Sequence, residues 1–218
     1  MTVPDPMREQ VAAASRELAA AGLVRGTSGN VSARDGDRIA ITPTGGVLGE
    51  LTPADVVVVD GNGELREGER GPTSELALHV GALERFGAGA VVHTHPPFGT
   101  ALSLVLDELP CVHYEMVALG GPVRVAPYRT FGTPELAAVV HDALEGRSAA
   151  LMANHGAITL GDDLAQAVER AHLLEWACGL YWRAAAVGEP RALDADELHA
   201  ARAQFRAKNY RSMLDMSG

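Results

Sequence analysis

One layered α/β domain, with a mostly antiparallel central sheet flanked by helices, is the architecture expected of residues 1–218. Three observations point there. Segments with apolar residues at helical spacing are interleaved with short strand-like runs, without the regular period of βαβ units. Hairpin turn signals are frequent, as at Asp35-Gly36-Asp37. The chain carries no internal repeat, low-complexity tract or linker, and 218 residues suffice for one sizeable core.

The elements follow in order. Met7, Val11 and Leu18 share a face of a helix over residues 6–21, which Gly22 ends. Residues 31–34 and 38–42 read as a hairpin. Thr52-Pro53 is a helix start, cut short because residues 56–59 form an apolar run suited to a buried strand. Asp60-Gly61-Asn62-Gly63 is a turn. Thr73 or Ser74 caps a helix to about residue 86. Val91 and Val92 favour a strand that carries His93 and His95, and Pro96-Pro97 stop it because neither can donate to a ladder. A short apolar strand over residues 110–113 precedes Tyr114. Residues 127–132 form a loop, and Thr133-Pro134-Glu135 opens a helix to residue 144. Residues 149–153 are a small-residue strand ending at Asn154-His155-Gly156. Asp162 or Asp163 opens a long helix to about residue 187, with Leu164, Val168, Leu174, Trp176 and Trp182 assigned to the core. A last helix spans residues 194–209, followed by a tail.

Composition narrows the function. Hydrophobic residues make up 47% and charged residues 21%, as in ordinary globular proteins. A formal charge of −10 argues against nucleic acid, whose phosphates call for clustered Lys and Arg. An anionic substrate would instead need positive potential from a metal, a helix N-terminus or backbone N–H groups. No apolar run is long enough to span a membrane. Residues 1–6 carry an acid and two prolines and do not resemble a secretory signal. Cys111 and Cys178 are isolated and read as buried thiols, so a cytoplasmic location is expected.

Alternate side chains of a strand share a face, so His93 and His95 point the same way and can hold one metal ion. By itself that spacing also describes two polar residues at a strand end. His155, at another strand end beside a permissive glycine, is the best third ligand, and three histidines leave a catalytic metal an open position. His79, His141, His172 and His199 lie in helical patterns without a partner at metal spacing, so structural roles suit them better. Glu75 is the candidate acid/base, although a helix dipole alone would favour a carboxylate in a first turn. Gly29-Asn30, Thr44-Gly45 and Thr73-Ser74 look like an anion cradle, the last at a helix N-terminus. Each alone is an ordinary turn or cap.

Five stretches, Gly29-Asn30-Val31-Ser32, Thr42-Pro43-Thr44-Gly45, Pro72-Thr73-Ser74-Glu75, His93-Thr94-His95 and Asn154-His155-Gly156, together resemble the class II sugar-phosphate aldolase family with the adducin-like fold. The resemblance runs over residues 7–210. Residues 110–114 and 126–133 resemble the fuculose-phosphate branch. The Thr-Thr-His-Ala-Asp stretch of the ribulose-phosphate epimerase branch has no counterpart at residues 112–116.

The resemblance implies an aldolase that cleaves a ketose 1-phosphate to dihydroxyacetone phosphate and a short aldehyde through a metal-stabilised enediolate. It implies a divalent metal on His93, His95 and His155. Glu75 would shuttle the proton and also be able to ligate the ion. Gly29, Asn30, Thr44, Gly45, Thr73 and Ser74 would hold phosphate and hydroxyls. Tyr114 would serve the aldehyde side across a subunit boundary of a homotetramer. Phe131 and Tyr210 would shape the pocket. Zinc suits three imidazoles best, and manganese or cobalt also fit a His/carboxylate set. Thr73 stands where the family often has serine, and Asn154 where it often has histidine or glutamine. Neither change removes a needed chemical group, but both leave the sugar open. The rival readings are a decarboxylase or dehydratase of a related phosphorylated compound on the same fold, and a non-enzymatic adducin-like binding module. The last predicts degraded metal ligands, whereas here the set is complete.

Overall fold

The computed structural model of the protein describes residues 5–208. Helix α1 spans Pro6–Ala20 and begins at Asp5, whose side chain accepts the Met7 N–H. Strands β1 (Asn30–Asp35) and β2 (Arg38–Ile41) form the expected hairpin. A 3-10 turn over Leu48–Glu50 precedes β3 (Val57–Val59) and β4 (Leu65–Glu67). Helix α2 is Leu76–Arg85, β5 is Ala90–Thr94 and α3 is Pro97–Leu102. Then come β6 (Glu108–Leu109), a 3-10 helix over Tyr114–Leu119, β7 (Val123–Ala126) and α4 (Pro134–Ala143). Strands β8 (Ala149–Met152) and β9 (Gly156–Gly161) form a tight hairpin before α5 (Leu164–Ala185) and α6 (Ala195–Ala207).

Among the described residues the strands form one sheet in the order β4-β3-β2-β1-β5-β9-β8-β7-β6. Only β7 and β8 pair in parallel, so the sheet is mixed but mostly antiparallel. Both faces are covered. Val92, Ala33 and Ala40 pack with α1 and the start of α5, whereas Val91, Ile39, Ile41 and Ile158 pack with α2 and α4. Neighbours in sequence therefore enter opposite cores, as the two-residue period of a strand requires. A third cluster joins α3, the 3-10 helix and the middle of α5. Arg170 of α5 is 1% exposed. It donates to the Ala118 and Leu160 carbonyls at 3.0 and 2.7 Å, pinning α5 to the 3-10 helix and to β9.

Residues 52–55 form the short turn expected of them, closed by Asp55, which accepts both the N–H and the hydroxyl of Thr52. Several other expectations needed correction. Neither Thr73 nor Ser74 caps α2. The N-cap is Glu75, and it makes no capping hydrogen bond. Pro96-Pro97 do more than stop β5. Pro97 opens α3, whose first N–H groups, those of Phe98 and Gly99, reach Glu175 of α5 at 2.9 Å each. The strand before Tyr114 is Glu108–Leu109 rather than residues 110–113, since those residues lead straight into the 3-10 helix. Trp176 and Trp182 are 47% and 51% exposed and do not lie in the core.

Candidate active site

The backbone brings the three cradle segments together through loop pairing. Thr44 N–H donates to the Gly71 carbonyl at 2.9 Å and Thr73 N–H to Thr42 at 3.1 Å, and Pro43 faces Pro72 across an isolated bridge. Gly29 completes the row. Its φ is +86°, and a Cβ there would stand 2.8 Å from the His93 carbonyl oxygen, so only glycine lets this loop lie on the histidine strand. The result is a pocket of about 420 Å³ walled by Gly29, Asn30, Thr44, Gly45, Thr73 and Ser74, with Glu75, His95 and His155 at its inner end. Phe131 and Arg129, both exposed, also line it.

Sheet register sets the histidines. His93 pairs with Ile158 and Thr94 with Ala157 across β5 and β9, so the β8–β9 turn overhangs the end of β5. That turn is sharp because Asn154 takes a left-handed φ of 58°, which asparagine tolerates better than most residues. It delivers His155 to the two strand histidines. Ring centroids lie 4.8, 4.9 and 5.0 Å apart, and one nitrogen of each ring lies within 4.8 Å of the other two. His93 donates Nδ1–H to the Ala157 carbonyl at 2.8 Å, which turns its Nε2 toward the cluster.

Glu75 faces the same point. Its Oε2 is 3.2 Å from His93 Nε2, and its Oε1 is 3.6 Å from His155 Nε2. Burial raises the carboxyl pKa, but the charge and hydrogen bond of His93, the Asn30 amide and then His155 outweigh it and hold Glu75 well below the usual carboxylate range. Burial, reinforced by His93, pushes His95 down to about 3 and His155 down to about 4. These two rings are therefore neutral near pH 7, with a lone pair to offer. Glu75 Oε1 is buried without a hydrogen-bond partner. An orphaned carboxylate oxygen beside three converging imidazoles is the donor set a divalent cation would satisfy.

A family model described as the class II aldolase and adducin N-terminal domain matches residues 9–182. The chain belongs to this family. A class II aldolase relative from Rhodospirillum rubrum, named a 5-methylthioribulose-1-phosphate/5-deoxyribulose-1-phosphate aldolase, is 41% identical over 92% of the chain and 91% of that protein. A 5-deoxy-D-ribulose 1-phosphate aldolase from Bacillus thuringiensis is 38% identical over 88% and 91%. The L-fuculose phosphate aldolase of Escherichia coli is 41% identical over 83% and 85%. Among solved structures, an L-fuculose 1-phosphate aldolase superposes with a TM-score of 0.89 at 34% identity, covering 94% of this chain and 98% of that one. The chain thus stands among the class II aldolases, which are carbon–carbon lyases.

Two residues that the resemblance implies for the class II aldolase site are not among the described residues that line this chain's own pocket, and Tyr114 was expected from across a subunit boundary. Tyr114 is 50% exposed, hydrogen-bonds Glu115 at 3.1 Å, and is absent from the pocket wall. Tyr210 lies outside the described residues. Conversely, the sequence reading passed over Arg129, which brings a cationic side chain to the pocket wall. His79, read from the sequence as structural, is fully buried and sits directly behind Asn30. The only sequence signal for His79 was its spacing of four from Glu75, which puts both on one side of α2.

Proposed function

We propose that this class II aldolase is metal-dependent and cleaves a ketose 1-phosphate to dihydroxyacetone phosphate and a short aldehyde. The observation that carries the reading is the Glu75 carboxylate, with Oε1 buried and unpartnered, set against His93 and His155 of a three-histidine cluster beside a hydroxyl-lined cradle. His93, His95 and His155 would hold the ion, with Glu75 at its side. When bound, the ion supplies Lewis acidity toward the ketose carbonyl. Zinc is the best match to three imidazoles, ahead of manganese or cobalt.

Gly29, Asn30, Thr44, Gly45, Thr73 and Ser74 would bind the phosphate, and Arg129 would offset its charge in a protein that is itself strongly acidic. In the condensation direction Glu75, as carboxylate, removes a proton from C3 of dihydroxyacetone phosphate. The C3 electron pair attacks the aldehyde carbon, and the aldehyde oxygen takes the phenolic proton of Tyr114. Cleavage retraces these steps. Tyr114 would come from a neighbouring subunit of a homotetramer, with Tyr210 and Phe131 shaping the aldehyde side. Its exposure outside its own pocket supports this, as do the exposed apolar side chains of Leu104, Val105, Trp176 and Trp182.

L-fuculose 1-phosphate is the substrate the sequence motifs favour. A second reading, a 5-deoxypentulose or 5-methylthiopentulose 1-phosphate, rests on the Rhodospirillum relative, which aligns over 92% of the chain against 83% for the Escherichia coli enzyme. A coupled assay for dihydroxyacetone phosphate across these ketose 1-phosphates tests both. Release from none of them would overturn the aldolase reading in favour of a decarboxylase, a dehydratase or a binding module.

A further inference from the structure

Behind Glu75 runs a line of buried polar groups, two of which, Ser32 and His79, have no part in the reaction scheme. Asn30 and Ser32 are alternate residues of β1 and share the face toward α2. Glu75 and His79 are four apart and share the side of α2 that meets them. Two short spacings, one on a strand and one on a helix, therefore interlock. Ser32 Oγ lies 2.7 Å from His79 Nδ1, His79 Nε2 bonds Asn30 Oδ1, and Asn30 Nδ2 donates to Glu75 Oε2 at 2.8 Å. Ser32 and His79 are fully buried and Asn30 is 5% exposed.

The direction of each bond follows from its neighbour. A carboxylate has no proton to give, so Asn30 must turn its NH₂ to Glu75 and its carbonyl oxygen to His79. His79 Nε2 must then carry the hydrogen. Nδ1 is left bare and accepts the Ser32 hydroxyl. Burial keeps the ring neutral, which is the state that this donor–acceptor pattern requires. An Asn amide flipped by 180° would set oxygen against oxygen at Glu75 and an NH₂ against the His79 N–H.

We propose that His79 and Ser32 are positioning residues for proton transfer. They lock the Asn30 amide, and through it the orientation of Glu75. Asn30 also lines the phosphate cradle, so one side chain couples the seat of the substrate to the group that moves its proton. This rests on the aldolase reading of the site. Partners placed one step behind a reacting or ligating group are typically worth about 10–100-fold in activity.

The test isolates Glu75's step by following deuterium exchange at C3 of dihydroxyacetone phosphate in the zinc-loaded protein, without aldehyde. His79→Leu should slow exchange at saturating substrate by roughly tenfold or more. Bound zinc should stay within about twofold of wild type, because His93, His95 and His155 are untouched. His79→Gln, whose amide NH₂ can take the place of Nε2–H, should recover part of the loss. A purely packing role would lower the melting temperature and leave the exchange rate of folded, zinc-loaded protein unchanged. That result in His79→Leu overturns the proposal. If His79→Leu does not fold, Ser32→Ala decides. Slowed exchange with normal zinc content supports the relay, and wild-type exchange refutes it. Wild-type protein that exchanges no proton defeats the aldolase reading itself, and the relay with it.

Discussion

Asn30 and Glu75, 45 positions apart in the chain, are joined by a buried 2.8 Å hydrogen bond between the amide nitrogen and Oε2. It holds the carboxylate with Oε2 3.2 Å from His93 Nε2 and Oε1 3.6 Å from His155 Nε2, and at the start of α2 the side chain makes no capping contact. Glu75 thus faces the histidine cluster instead of capping its helix.

Glu75→Gln should fold and keep its zinc but lose about 10²–10⁴-fold in turnover, the usual contribution of a general acid–base group. Steady-state cleavage of the preferred ketose 1-phosphate measures this. Activity within about twofold of wild type would remove Glu75 from the mechanism, because that lies far below the expected loss.

Gly156 is held by space rather than by φ. A Cβ there would sit 2.3 Å from the Thr94 carbonyl oxygen and 3.3 Å from His93 Cε1. Gly156→Ala must part β9 from β5 at the metal ligands. Overpacking of this kind costs about 1–3 kcal/mol, so the urea midpoint should fall. Zinc affinity should fall with it, read by competition with a chelator. Unchanged affinity would show that the β8–β9 turn does not set the position of His155.

The metal-free protein should lose stability as the pH drops from about 6.5 to about 4. His79 and His95 are held near 3 and His155 near 4, each mainly by burial, whereas an unfolded histidine titrates near 6.5. In that window the unfolded chain binds protons that the native state refuses, and the slope of stability against pH is positive. His93 does not offset this. Although burial lowers its pKa, Glu75 raises it above the ordinary value, so its contribution is complete below 6.5 and is lost only as the pH rises. Urea midpoints of chelated protein at pH 7, 6 and 5 should decline in that order. A flat series would mean that the three rings are not neutral in the native state.

Tyr114 lies outside its own chain's pocket, so its contribution should come from a neighbour. Tyr114→Phe and His93→Ala proteins, each nearly inactive, should regain partial activity when refolded together. A His93→Ala subunit then lends its tyrosine to a metal-bearing site. No recovery in verified mixed tetramers, or full activity of a monomer by light scattering, would overturn the shared site.

The helices with capping signals were legible in the sequence. Asp194 and Glu197 form a complete capping box, and Thr133 caps α4. The cluster of three histidines was legible because two of them lie two residues apart at a strand end and the third stands beside a glycine. Strands β7 and β9 were not, since residues 123–126 and 156–161 are short runs that begin at glycine or proline turn signals, and pairing with β8 and β5 makes them strands. Trp176 and Trp182 misled the core assignment because their size suggests burial while their surroundings leave half of each exposed. The relay behind Glu75 was hidden for a different reason. Asn30 stood out only as a cradle residue and His79 only as one more helical histidine, and the crossing of β1 and α2 is what lines them up with Ser32.

Zinc titration of the chelated protein, with dihydroxyacetone phosphate release followed at each addition, bears most directly on the metal-centred account. Activity should rise in proportion to zinc and break at one ion per chain, and His93→Ala should neither hold that ion nor turn over. Full activity in the chelated protein, or one tightly held zinc with no cleavage of any ketose 1-phosphate, would contradict it.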